Sequence, residues 1–309
     1  MISMEKGIIT LAYGAPKYIE MAKTLGRSLL LHSPNIPRAI VTDRQDDKEL
    51  AELFDQLIPY KPEYGSNVRQ KIHLDQYSPY ARTLFIDSDC IVVRDLGFVF
   101  ESFAEKNFAV VGGKYHLKPG DKDPYLNVDF ILKSFRLSKL PKFNGGIYYF
   151  DDSDTARSIY KTAREILRDF DKLGFAEFRG DGPNEEPILA TSMEMHQQSI
   201  FQDNGSIMRT PVGLRGKLKM DALAGKCTFK KGSRAVSPAV VHFAYIWSEH
   251  PVYHREVERL KVWATTGEVR QIRTNWQTVF NYQLNVVKYG LKRIRQRSKA
   301  LFKRASIVI

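Results

Sequence analysis

The sequence predicts an α/β fold: a mainly parallel sheet flanked by helices, followed by a C-terminal helical extension that is strongly basic. Three observations carry that expectation. Short apolar, β-branched runs alternate with segments of helical period, proline and glycine stops fall between them, and 309 residues with 43% apolar content can bury a sizeable core. The first run is GIITLAY at 7–13. KYIEMAKTLGRSLLLHS follows, with Ile19, Met21, Ala22, Leu25, Leu29 and Leu30 at largely helical spacing and Pro34 and Pro37 as a stop. Further strands are expected at RAIVTD (38–43), QLIPY (56–60), RTLFIDSD (82–89), FAVVGG (108–113) and GGIYYFD (145–151). SDTARSIYKTAREILRDFDKLG then reads as a long helix with a Ser or Asp cap, ending at Gly174. The polar FRGDGPNEEP interrupts before a shorter helix, ILATSMEM. Residues 203–238 are rich in Gly, Lys and Arg with little period, and AVVHFAY at 239–245 is a last buried strand containing His242. Residues 1–250 are read as one domain and 251–309 as a helical region ending in a basic amphipathic tail.

The charge is uneven. Of 47 Lys and Arg, eight (Lys288, Lys292, Arg293, Arg295, Arg297, Lys299, Lys303 and Arg304) lie beyond residue 275, where there is no Asp or Glu. The remaining 39 basic residues face all 35 acidic ones, so a net charge of +12 falls to +4 without the tail. Trp276, Phe280, Leu284, Val287, Leu291, Ile294 and Leu301 follow steps of three, four or seven, one apolar stripe beside those charges. A basic amphipathic helix with aromatic members suits the plane of an anionic membrane; packing on the body through the stripe is the alternative, and no nucleic-acid module accompanies it. Cys90 and Cys227 form no spacing motif, and MISMEKG has no signal-peptide pattern. A cytoplasmic protein, peripheral at the inner face of a membrane, is the expectation.

The candidate chemistry centres on Asp87 and Asp89, directly behind an apolar strand. In an open α/β sheet ligands bind beyond the carboxyl ends of the strands, where Tyr13, Gly14, Thr42, Asp43, Asp87 and Asp89 all fall. Two carboxylates at i and i+2 in a turn can face one Mg²⁺ or Mn²⁺ bridging a diphosphate. An isolated D-x-D equally serves to end a strand and cap a turn. His250 and His254 share a helix face, but Pro251 stands where a zinc protease carries Glu, so that pair reads as a helix start. P-loop, dinucleotide, serine-hydrolase and C-x-x-C motifs are absent.

Over most of residues 5–246 the ordered blocks IITLAYGAPKYIEMAKTLGRSL, YSPYARTLFIDSDCIVVRDL with Lys71 before it, FNGGIYYFD, NEEPILA and VVHFAY resemble glycosyltransferases of the GT-A fold, particularly family 8. The resemblance implies transfer of a hexose from a nucleotide-diphosphate donor, of UDP-sugar type, to a glycan or lipid-linked acceptor, with Mn²⁺ or Mg²⁺ as cofactor and no nucleic-acid partner. It implies Asp87, Asp89 and His242 as metal ligands. Tyr13, Gly14, Lys71, Asp87, Ser88, Asp89, Asn144, Gly145 and Gly146 become donor-binding residues, and Glu185 and Glu186 the carboxylates beneath the donor sugar. One block departs from the pattern: HFAYIWSEHPVYH lacks the lysine the family places after the His, which leaves Lys71, Arg82 or the Lys230 and Lys231 pair to meet the diphosphate. A sugar-phosphate nucleotidyltransferase normally opens with a Gly-rich basic loop, absent from LAYGAPKY; a non-catalytic sugar-nucleotide or membrane-docking protein is the other alternative.

Overall fold

The computed structural model describes residues 4–178, 182–273 and 275–305, with side chains at 5–112, 116–178, 182–273, 275–289 and 291. In chain order the elements are β1 (Met4–Leu11), α1 (Pro16–His32), β2 (Arg38–Thr42), α2 (Lys48–Leu53) and β3 (Gln56–Pro59). Two 3-10 turns, Pro62–Tyr64 and Asn67–His73, lead to α3 (Leu74–Tyr77), β4 (Tyr80–Ile86), β5 (Cys90–Val92), α4 (Gly97–Ser102) and β6 (Phe108–Leu117). Then come α5 (Val128–Ser134), β7 (Leu140–Asp151), α6 (Asp154–Arg168), α7 (Glu185–Met195), β8 (Phe201–Gln202) and β9 (Met208–Arg209). The chain finishes with β10 (Leu214–Asp221), β11 (Lys226–Lys231), β12 (Arg234–Val236), β13 (Val240–His242), α8 (Pro251–Thr266) and α9 (Trp276–Ala305).

A seven-stranded sheet runs β3-β2-β1-β4-β7-β6-β8. The first four are mutually parallel, and β7 is antiparallel to both β4 and β6. The chain leaves β1 toward β2 and returns to β4 on its other side, so the switch point where such sheets hold ligands falls between β1 and β4. Because successive strand residues point to opposite faces, Ile9, Phe85 and Tyr148 pack in one layer with Ile159 of α6 and Leu189 of α7. Ile8, Leu84 and Tyr149 pack in the other with Leu25 and Leu29 of α1 and Phe100 of α4. Both faces are covered, which is why the strands read as continuous apolar runs.

Three expectations need adjusting. The helix after Asp151 is capped by Ser153, whose side chain accepts from Ala156 N–H, but it stops at Arg168; turns fill the residues up to Gly174, whose φ of +81° suits glycine. The 203–238 stretch contains an antiparallel sheet, β10-β11-β12, whose buried side is supplied by Leu218, Met220, Cys227 and Phe229. Lysines on its outward positions hid the alternation. Residues 251–266 belong to the packed body: Tyr253 and Leu260 join the same cluster, and the buried Glu256 carboxylate accepts from Ala222 N–H and the Arg259 guanidinium.

The apolar stripe of α9 is not packed on the body over its described part. Trp276 is 85% exposed and Phe280 63%, and Leu284, Val287 and Leu291 are also open to solvent. The helix touches the body through Tyr282, whose ring lies 4.8 Å from that of His250, and through Asn285, which donates to Glu249. Ile294 and Leu301, with the basic residues from Lys292 to Arg304, lie outside the described side chains.

Candidate active site

β4 ends at Ile86, and Asp87, Ser88 and Asp89 form the turn that carries the chain into β5, with Cys90 N–H donating to Asp87 O. Two neighbours fix this turn. Asp87 N–H donates to Gly146 O of β7, and β13 pairs antiparallel with β5 so that His242 stands opposite Cys90. The three residues expected as metal ligands from sequence are thereby brought near one another from two sheets: the aspartates follow a strand of the large one, and His242 arrives on a short ladder of its own.

His242 Nε2 lies 3.0 Å from Asp89 Oδ1 and 3.7 Å from Asp87 Oδ2. Its Nδ1 lies 2.6 Å from Asn144 Oδ1, and that atom also receives Gly146 N–H at 3.1 Å, which identifies it as the amide oxygen. An oxygen only accepts, so Nδ1 carries a proton, and Nε2 is the ring atom turned toward the aspartates. Asp89 Oδ1 is buried, and a proton on Nε2 would pair it with the imidazolium. With Nε2 unprotonated, carboxylate oxygens and one imidazole are a donor set that suits Mn²⁺ or Mg²⁺. Without a cation the site draws protons: burial alone lowers the His242 pKa, but Asp89 and then Asp87 outweigh it and hold it above the ordinary value.

The ligating atoms of Asp89, Cys90 and His242 all lie within 4.8 Å of one another. Cys90 was not expected there. It reaches the site because it pairs with His242, and burial, reinforced by both aspartates, pushes its thiol well above the ordinary range, so it stays a neutral wall; the thiolate is the metal-binding form. Asp87 is drawn to the other side of the site.

There Lys71, from the Asn67–His73 turn, is buried and donates to Asp87 Oδ2 at 2.7 Å, Glu185 Oε1 at 2.9 Å and Gly145 O at 3.3 Å. Burial lowers its pKa, but Asp87 and Glu185 overcome this and keep the ammonium charged. Glu185 and Glu186 open α7, capped by Asn184, whose oxygen accepts from Glu186 N–H. They thus fill the position an acidic pair takes at a helix N-terminus and also face the site. Tyr148, not foreseen as a site residue, donates to Glu185 Oε1 at 3.2 Å; the second Glu185 oxygen is buried without a partner, an acceptor suited to a sugar hydroxyl. Gly145 N–H donates to Glu186 Oε1 at 2.7 Å. Burial, then Glu185, raise the Glu186 pKa to about 7 against the pull of that N–H.

The two glycines are required by closeness. A Cβ on Gly145 would stand 2.6 Å from Tyr148 Oη, and one on Gly146 would stand 2.4 Å from His242 Nδ1. Gly146→Ala is therefore expected to displace the imidazole, costing about 1–3 kcal/mol in urea denaturation and weakening Mn²⁺ uptake measured by calorimetry at least tenfold.

Tyr13 and Gly14 sit at the mouth beside β1. Tyr13 stacks on Tyr60 with ring centroids 4.1 Å apart and donates to Asn67 O, while Gly14 has φ +76° and donates to Asp43 Oδ2. Ser88, at the turn's apex, is buried. The other cations considered from sequence lie elsewhere: Arg82, five residues before Asp87, pairs with Glu5, Lys230 is exposed on β11, and Lys231 donates to Thr210 O. His250 is the N-cap of α8, its Nδ1 accepting from Val252 N–H.

No known family profile matches the chain, and no curated protein matches it. Among solved structures it is similar to an active-site mutant of LgtC, at 14% identity over 88% of this chain and 99% of that one, with a TM-score of 0.55. It is similar also to the galactosyltransferase LgtC in complex with donor and acceptor sugar analogs, at 13% identity, the same coverage and a TM-score of 0.54. Identity so low speaks for architecture alone, and the architecture is the GT-A fold of glycosyltransferases.

Proposed function

We propose that the protein transfers a sugar, of hexose type, from a nucleotide-diphosphate donor such as a UDP-sugar to a glycan or lipid-linked acceptor, with Mn²⁺ or Mg²⁺ bound. The observation that carries this is the convergence of five separate segments on one rim, bringing Lys71, Asp87, Asp89, Asn144, Glu185, Glu186 and His242 into a single bonded network. Asp89 and His242, with Asp87 beside them, would hold the ion, which supplies charge neutralisation for the departing diphosphate. Tyr13 and Gly14 border the nucleotide, and Lys71 adds a fixed positive charge within the carboxylates. Asn144 holds His242 and the sugar side of the turn, and Glu185 offers its unpartnered oxygen to a sugar hydroxyl. The anomeric carbon exchanges its bond to the diphosphate oxygen for one to the acceptor oxygen. Glu186, titrating near 7, receives the hydroxyl proton that the acceptor loses.

The test is a UDP-sugar panel with Mn²⁺: nucleoside diphosphate release with one donor supports the reading, and absence of any nucleotide binding overturns it. The shift of Glu186 sets a second expectation. A folded pKa above the unfolded one means that the folded state keeps its proton longer, so stability present below pH 4.5 is lost as pH rises to about 7. Thermal melts of the metal-free protein should lose roughly 3 kcal/mol over that window from this group, and Glu186→Gln should flatten the loss. Turnover should rise through the same window.

Among the described residues no helix is long and apolar enough to cross a membrane. The open Trp276 to Leu291 stripe supports in-plane attachment of α9 to an anionic membrane, and with it a peripheral location at a cytoplasmic membrane face.

A further inference from the structure

The β10-β11-β12 sheet has an outward face that nothing above uses. Between residues 210 and 240 there are seven basic residues (Arg215, Lys217, Lys219, Lys226, Lys230, Lys231 and Arg234) against one acidic, Asp221, which is paired with Arg259 of α8. Six of the seven are exposed, while Leu218, Met220, Cys227 and Phe229 between them point into the core. The alternation places Arg215, Lys217, Lys219, Lys226 and Lys230 on the outer side of a folded, well-packed sheet, with Thr228 and Asp221 among them.

The register sharpens this. On the outward face Arg215 stands directly opposite Lys230, Lys219 opposite Thr228 and Lys226 opposite Asp221, whereas Lys231 and Arg234 face each other on the side of Phe229 and Val236. Like charges in facing positions, as at Arg215 and Lys230, oppose strand pairing. Among the described residues none of the seven forms an ion pair. Lys231 is held below the ordinary lysine range by burial and by Arg209, so its charge too is opposed from within. Five exposed cations concentrated on one folded face suit an anionic partner.

We propose that this face docks on the phospholipid headgroups of an anionic bilayer. A sheet surface dominated by lysine, compact hydrated point charges on flexible stems, suits a dense field of lipid phosphates without fixed geometry. The outward positions of the three strands carry no aromatic ring on which bases could stack, which disfavours single-stranded nucleic acid. Both membrane elements hang from one segment: β10 is bonded to α8 through Ala222 N–H to Glu256, and α9 meets the turn before α8 through Asn285 and Glu249. The proposal rests on the membrane part of the reading above and is independent of the sugar chemistry.

The experiment is cosedimentation of the full chain with vesicles of phosphatidylcholine containing 30% phosphatidylglycerol, in low and high salt. Lys217→Glu, Lys219→Glu and Lys230→Glu together should lower partitioning at least tenfold and reduce its salt dependence. Lys48→Glu, Lys106→Glu and Lys161→Glu, three exposed lysines elsewhere with the same change in net charge, should lower it no more than threefold. Equal losses in the two triple variants, wild-type binding by the sheet variant, or no vesicle binding by the wild-type chain would each overturn the proposal. So would loss of a 20-base-pair duplex by the sheet variant with its vesicle binding intact. Loss in an α9 deletion with wild-type binding by the sheet variant leaves the tail's attachment standing and removes the sheet's.

Discussion

Replacing Asp89 with alanine should lower donor turnover about 1,000-fold at saturating Mn²⁺, a loss in the range seen when one preorganised group facing transition-state charge is removed. The residue owes this weight to its position. Its Oδ1 is buried and lies 3.0 Å from His242 Nε2. Lys71 cannot compensate, because its ammonium is already shared between Asp87, Glu185 and Gly145 O. Stability should change little: Asp89 is 24% exposed in its side chain, and its loss returns His242 to a neutral imidazole still held by Asn144. The measurement is steady-state nucleotide release across a Mn²⁺ titration, beside a thermal melt. Turnover within tenfold of wild type, or recovery at high Mn²⁺, would count against metal ligation by this residue.

Lys71→Met should cost the fold about 3–5 kcal/mol, because removing one partner of a buried ion pair strands the other. Glu185 is the group stranded: its side chain is 3% exposed, and Lys71 and the Tyr148 hydroxyl are its hydrogen-bond partners. Asp87 loses its nearest cation at the same time and is left with Asp89 beside it, burial and that second carboxylate both raising its pKa. Urea denaturation of the single variant and of Lys71→Met with Glu185→Gln separates the causes. If the stranded charge is responsible, the double variant regains much of the stability while remaining inactive. A single variant within 1 kcal/mol of wild type would mean that Glu185 is not held by Lys71.

Six of the seven strands of the large sheet, α1 and the Asp87 and Asp89 turn were legible because both faces of that sheet are covered and apolar residues mark it directly; the two-residue β8 was too short to read. β7 reads the same way as its neighbours, and its reversed direction is invisible in FNGGIYYFD, since direction is set by where the chain re-enters and not by side-chain type. β10 to β12 were hidden by outward lysines that dilute the apolar alternation. Glu185 and Glu186 could be placed at a helix start from NEEP alone, but Tyr148 and Cys90 enter the site through cross-strand register, which no local pattern encodes. The α9 stripe was read correctly as a stripe, and its periodicity carried no information about whether anything in this chain covers it.

The short β5-β13 ladder is a seam between two apolar clusters: Cys90 and Val240 pack with Ile8 and Leu84, and Ile91 and Val241 pack with Met220 and Phe229. His242 is carried on the side that also bears Phe243 and α8, whereas Asp87 and Gly146 belong to the large sheet. A divalent ion shared between His242 and the aspartates would therefore act as a rivet through the seam, tying the segment that leads into α8 to the large sheet. Occupancy at one hundred times the dissociation constant would lock that seam by about 2.7 kcal/mol. The orientation of the cationic sheet toward a lipid surface would then be stiffest in the metal-loaded state in which a sugar can be transferred.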